Sequence, residues 1–345
     1  MNRRALQGFL TRLDEIDGYR RSLIVSARLA GMSVPESRPE VRELVEELGL
    51  AVSRGMRKRL DYSSLVVSLY GALEDYVERI AEQCAEVLNG AVPRYLDLPE
   101  SMRRCHEKGS LSLVEQVMRS TYTGQLTQRD LIANVHGCLE GRTPYRLNVE
   151  AFSIHTANVR HGIVREMLAR VCVEGVDEAV GSDIRTIELL DRYGRSGGEP
   201  HFYLDDLADR RNMVAHGEVP PDVLSLDVLH EYIDGLRLFG VLLFERALCG
   251  VLHLTLPNAA VPLGRPTASY KSGRILCFCP DVRFTLKLGD SLVWETGAGW
   301  RVCAIESLEV NRKPYSSLIG NPKDKFGAGI PVNGNGKAEY WVIPA

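Results

Sequence analysis

No long apolar run crosses this sequence. Its most apolar stretch, LFGVLLFERALCGVLHLTLP, is broken by Glu245 and Arg246. Neither side approaches the roughly 20 residues a membrane-spanning helix needs, so no membrane partner is expected. The N-terminal MNRRALQGFLTRLDEIDGYRR lacks the apolar centre of a secretion signal, and the expected location is cytoplasmic. A surplus of one charge is also missing. With 42 Lys and Arg against 45 Asp and Glu, the formal net charge is −3. That excludes a whole-molecule grip on a polyanion and leaves a local basic groove open, because the field at a site depends on where charges sit. No Gly-rich phosphate loop, no GxSxG elbow and no fixed-period repeat occurs, which sets aside phosphate-loop enzymes, hydrolases of the elbow type and solenoids. His106, His136, His155, His161, His201, His230 and His253 show no metal-ligand spacing. Among the eight cysteines only Cys277 and Cys279 are close, without the second pair or histidine a zinc set requires. The thiols are read as reduced and structural, and neither metal nor cofactor is expected.

What the chain does have is a change of character near Pro257. Before it, apolar residues recur at helical spacing. LQGFLTRLDEIDGYRRSLIVSARLAG runs to Gly31, and PEVRELVEELGLAVSRGMRKRL continues after a turn. DYSSLVVSLYGALEDYVERIAEQCAEVLNG places Leu65, Leu69, Leu73, Val77 and Ile80 on one stripe, with Asn89 and Gly90 as a stop signal. A last long amphipathic helix is read from about Asp222 to His253. After Pro257, short β-branched and aromatic runs (RILCFC, VRFTLKL, SLVWET, WRVCAIESLEV, AEYWVIP) alternate with PD, GD, GAG, NP and NGNG turns. The expected fold is α plus β in separate domains: an all-α bundle over 1–256, then a small all-β barrel over 257–345. Closure is expected because short strands must bury their edges.

One helix poses a question. In DDLADRRNMVAHG, residues 205–217, a 100° advance per residue gathers Asp205, Asp209, Asn212 and His216 on a polar arc. Opposite lie Leu204, Leu207, Ala208, Val214 and Ala215, and Arg211 projects from the middle of that apolar arc. A guanidinium is rarely buried unpaired. Arg211 therefore snorkels to water, pairs with an acid of another helix, or reaches across a helix–helix seam to an anion; the period alone does not choose. His216 falls in the last turn before Gly217, a good helix-ending residue, where an imidazole can serve as general acid or base. Arg195 and His201 have nearly the same spacing, but GGEP between them is not helical.

RNMVAH resembles the R-N-x-x-x-H signature of the HEPN superfamily, helical ribonucleases frequent in bacterial toxins and phage-defence systems. SLYGALEDYVERIAE (68–82) and FSIHTANVR (152–160) are similar to segments of one bacterial branch, and the likeness covers roughly residues 1–255. It implies a homodimer in which two motif helices form one composite cleft. It also implies metal-independent cleavage of RNA there, to 2′,3′-cyclic phosphate and 5′-hydroxyl ends. Arg211 would bind the scissile phosphate, His216 would move the proton, and Asn212 would orient imidazole or substrate. Glu74 is a supporting candidate, against a plain solvated surface acid. Arg57 and Lys58, in the basic run SRGMRKRL, are candidates for RNA phosphates, against a solvated helix end. An antitoxin or other regulatory partner is an open expectation. In the adenylylation-controlled branch a tyrosine stands two places after the histidine; here it is Glu218, so a nucleotidyltransferase antitoxin acting on this site is not expected. The alternatives are a non-catalytic HEPN scaffold that binds RNA or a partner protein, and a structural ion pair at Arg211 with His216 as a helix cap. The last 85 or so residues resemble the second-domain barrel of translation elongation GTPases, in the GD turn, the I-x-S-L-x-x-N strand and F-G-A-G-I. That likeness implies targeting or regulation.

Overall fold

Leu65, Leu69, Leu73, Val77 and Ile80 form the spine of one long helix, α3 (Arg54–Ala91), each at most 1% exposed. In the computed structural model, which describes residues 3–31, 38–50, 54–119, 121, 124–218, 222–255, 260–296 and 299–343, α3 packs between α1 (Arg4–Ala30) and α10 (Leu226–Thr255). Phe9 of α1 stacks on Tyr76 of α3 with ring centroids 4.4 Å apart, and Tyr76 Oη donates to the Gly240 carbonyl of α10 at 2.6 Å. The approach needs a glycine: a Cβ on Gly240 would lie 2.6 Å from the Phe9 ring. Around this core lie α2 (Pro39–Leu50), α4 (Glu100–Met118), α5 (Gln128–Leu139), α6 (His161–Ala169), α7 (Val176–Gly181), α8 (Ile184–Arg192) and α9 (Phe202–Ala215). Asn89 and Gly90 do not stop α3, which runs on to Ala91. Asn89 instead accepts the Leu147 N–H at 2.8 Å, so its side chain holds a distant segment rather than its own helix end. His106 is a core histidine. Its Nε2 accepts the Asn148 N–H at 3.0 Å, and burial pushes its pKa down to about 4.

Beyond residue 260 the chain is all strand: β1 (Val261–Gly264), β2 (Ala268–Tyr270), β3 (Ile275–Phe278), β4 (Phe284–Lys287), β5 (Ser291–Thr296), β6 (Gly299–Ala304), β7 (Ser307–Val310), β8 (Lys313–Tyr315), β9 (Ser317–Gly320), β10 (Phe326–Gly329) and β11 (Tyr340–Ile343). The expected closed barrel is not what forms. The strands lie in three sheets, ordered β1-β11-β5-β6, β2-β3-β10-β7-β8 and β4-β9. Burial of both faces of the first sheet explains why. Leu292, Trp294 and Val342 point into the strand core, while Val293, Val302 and Ile343 belong to the helical core. The face that a closed barrel would turn to water is covered by helices instead, so these strands gain burial without closure. All eight cysteines are free thiols.

Candidate active site

The motif helix α9 is seated by Tyr203, Leu204, Leu207 and Ala208, all buried. It ends in a Schellman arrangement: Gly217, at φ +75°, donates to the Val214 carbonyl at 3.1 Å, and Glu218 donates to the Met213 carbonyl at 2.9 Å. His216 is the residue at which helical geometry stops. Its imidazole is exposed and has no hydrogen bond or ion pair among the described residues.

Two consecutive arginines on α9 have opposite fates. Arg210 is 6% exposed and fully engaged, with Asp206, with Tyr62 Oη at 3.1 Å and with Asp222 Oδ2 at 2.9 Å. Arg211 is half-buried and meets no carboxylate within 4 Å among the described residues. Its guanidinium lies 5.0 Å from the centroid of the Tyr70 ring, and its Nη1 donates to Asn158 Oδ1 at 3.3 Å and Asn212 Oδ1 at 3.4 Å. Of the three placements open to Arg211, the ion pair is not taken up among the described residues; the paired arginine is its neighbour, whose acids lie on α9 itself and on the segment that follows it. Arg211 is held by neutral groups, so its charge stays uncompensated and available to an anion.

The cradle comes from α3 and from the segment leading into α6. Tyr70 Oη accepts the Val159 N–H at 2.8 Å and donates to Glu74 Oε1 at 3.1 Å; burial pushes its pKa up to about 12, which keeps it a neutral phenol. Asn158 Nδ2 donates to Asn212 Oδ1 at 2.9 Å, which points that carbonyl oxygen at Arg211. The segment is fastened to the outer side of α9 twice. Arg160 pairs with Asp209, and the His161 N–H donates to Asp205 Oδ1 at 3.0 Å. Next to it, His155 Nε2 lies 3.0 Å from Glu78 Oε1, and that hydrogen bond raises the histidine's pKa.

Arg211 and Asn212 are thus brought together, whereas His216 stands apart at the helix end. Glu74 is half-buried and reaches the site through Tyr70, with its Oε1 also 4.0 Å from His155 Nε2. Arg57 and Lys58 lie elsewhere. They sit thirteen and twelve residues before Tyr70 on α3, roughly 20 Å away along the axis, and line a separate groove with Leu23, Tyr62 and Leu224. Sequence reasoning missed Arg210, Tyr70 and Asn158. Tyr70 and Asn158 lie inside the two segments singled out for their likeness, but nothing in the spacing of a loop residue such as Asn158 marks it for a role.

The helix α9 carries RNMVAH and is followed by one more long helix, α10. The RiboL-PSP-HEPN family model matches residues 40–246, more than half of the chain. The chain belongs to that family, which suggests a ribonuclease-like or RNA-binding function. The match begins in α2 and ends within α10, leaving α1 and the strands outside it. The likeness of the strand region to elongation-GTPase domains therefore rests on sequence alone. No curated protein and no solved structure matches the chain.

Proposed function

We propose that the protein is an endoribonuclease that cleaves RNA by internal transesterification without a metal ion, as a toxin or phage-defence effector. The observation that carries this reading is Arg211, a half-buried cation seated on Tyr70 and two amide oxygens, with no carboxylate within 4 Å among the described residues. It would take the scissile phosphate and stabilise the charge that builds on the non-bridging oxygens. The 2′-oxygen attacks phosphorus and loses its proton to a base. The bond from phosphorus to the 5′-oxygen breaks, and that oxygen gains a proton from an acid. The products are a 2′,3′-cyclic phosphate and a 5′-hydroxyl. His216, exposed and unbonded, fills one of the two proton-transfer roles.

Helical geometry separates Arg211 and His216 by about 140° around the axis and roughly 7.5 Å along it, and within one protomer they do not touch. Two copies of α9 side by side would present both arginines and both histidines to one phosphodiester, so the active form in this reading is a homodimer. The test is cleavage of RNA by wild type, Arg211→Ala and His216→Ala in excess EDTA, with end-group analysis. Cyclic-phosphate ends from wild type, lost in both variants, are expected. Cleavage that survives in both variants would sink the assignment, and RNA binding without any cleavage would leave a scaffold.

A further inference from the structure

The helical bundle and the strands meet across a cleft of about 360 Å³, the size and setting of small-ligand sites that form where two structural units join. Its charges do not balance. Arg185 donates to Asp183 at 2.9 Å and to Glu245 at 2.6 and 3.2 Å, so both acids in the cleft are committed to one guanidinium. Arg246 of α10 spends its Nε on the Glu174 carbonyl, and the guanidinium of Arg301 on β6 makes no hydrogen bond or ion pair among the described residues. Neither meets a carboxylate there. Cys249, between them, offers no counter-charge, since burial pushes its thiol up to about 12 against the opposing pull of Arg246 and Arg301. The rim adds Asn333, which makes no hydrogen bond among the described residues, and Asn335, whose Oδ1 accepts the Lys337 N–H at 2.9 Å and leaves its Nδ2 to donate. Trp294 is packed on Tyr340, 5.3 Å between ring centroids, and shapes the floor.

We propose that this cleft binds a nucleotide phosphate monoester, with Arg246 and Arg301 on the phosphate and the amides of Asn333 and Asn335 on the base. Two guanidiniums from different elements suit a dianionic phosphate through charge-assisted, bidentate bonds, and a terminal amide offers both donor and acceptor to a base edge. The bound phosphate would tie β6 to α10. Its source is either a free mononucleotide or the phosphorylated end of an RNA strand. The proposal does not depend on the ribonuclease reading.

Calorimetric titration of the full chain would use 5′-AMP and a 2′-O-methyl hexanucleotide with and without a 5′-phosphate, since that backbone has no 2′-hydroxyl to attack. The expected result is binding of a phosphate-bearing probe, weakened about tenfold or more by Arg301→Gln or Arg246→Gln. Arg301 is exposed, so its variant should retain the wild-type circular dichroism. Tighter binding of 5′-AMP than of the hexanucleotide assigns the free nucleotide. Tighter binding of the phosphorylated hexanucleotide, lost without its phosphate, assigns the strand end. No binding of any phosphate probe, or affinity indifferent to both glutamine variants, would overturn the proposal.

Discussion

Arg210 and Arg211 are adjacent in sequence, and replacing each with alanine should give opposite phenotypes. Arg210→Ala removes a guanidinium that is 6% exposed and bonds two carboxylates and a tyrosine. Breaking a buried ion pair by deleting one partner costs about 3–5 kcal/mol. Because Asp222 is 67% exposed at its side chain and regains water, the lower end, about 3 kcal/mol, is expected. Arg211→Ala loses a cation–aromatic contact and two long hydrogen bonds on a half-buried surface, about 1 kcal/mol, and leaves no acid stranded. Urea midpoints should therefore fall clearly for Arg210→Ala and little for Arg211→Ala. RNA cleavage at 25 °C, with both proteins still folded, should fall at least 10²-fold for Arg211→Ala, a typical cost of losing one transition-state donor. Equal destabilisation by the two substitutions, or undiminished cleavage by Arg211→Ala, would refute the division of labour between them.

Asn158→Ala should leave stability within about 1 kcal/mol yet lower cleavage at least about tenfold, because Asn212 then loses the donor that orients its carbonyl toward Arg211; cleavage at the wild-type rate would show the amide to be idle. Gly235→Ala would place a Cβ 2.4 Å from the ring of Tyr203. Pushing α9 off α10 should cost about 1–3 kcal/mol and reduce cleavage as well, and an unchanged urea midpoint would contradict the packing. His106 is neutral in the fold, with a pKa of about 4, against about 6.5 in an unfolded chain. Below pH 6.5 the unfolded chain binds the additional proton, so this contribution is intact above pH 6.5 and is lost as the pH falls to about 4. The loss totals about 3 kcal/mol. His106→Gln should flatten that part of the urea midpoint's pH profile, and an NMR titration placing His106 near 6.5 would rule the account out.

The helices were legible where burial is one-sided. The stripe on α3 and the stop at Gly217 follow from the 3.6-residue period and from the φ that only glycine adopts easily. Strands β3, β4, β5, β7 and β11 fall within runs read as strands, whereas β8, β9 and β10, three to four residues each, carry too little pattern to stand out. The open sheets were not legible, since no local signal in SLVWET says that Val293 leaves the strand core for the helical one. At the site, the wheel set Arg211 amid the apolar residues of α9, where it is half-buried, and passed over Arg210, the arginine that is buried. Its acids lie one turn back on the same helix and on the segment beyond it, and only the second is hidden from a helical wheel. Tyr70 and Asn158 come from elements 88 residues apart, a proximity that one sequence does not encode locally.

The sheet that buries both faces makes the strand region a wall of the helical core. Val293, Val302 and Ile343 would stand in water if the chain were cut near residue 257, and α10 would lose the surface it rests on. The two regions are then best regarded as one cooperative folding unit. Proteolysis between them should release no stable fragment, and any force that loosens the strands is borne by the helix against which the motif helix is seated.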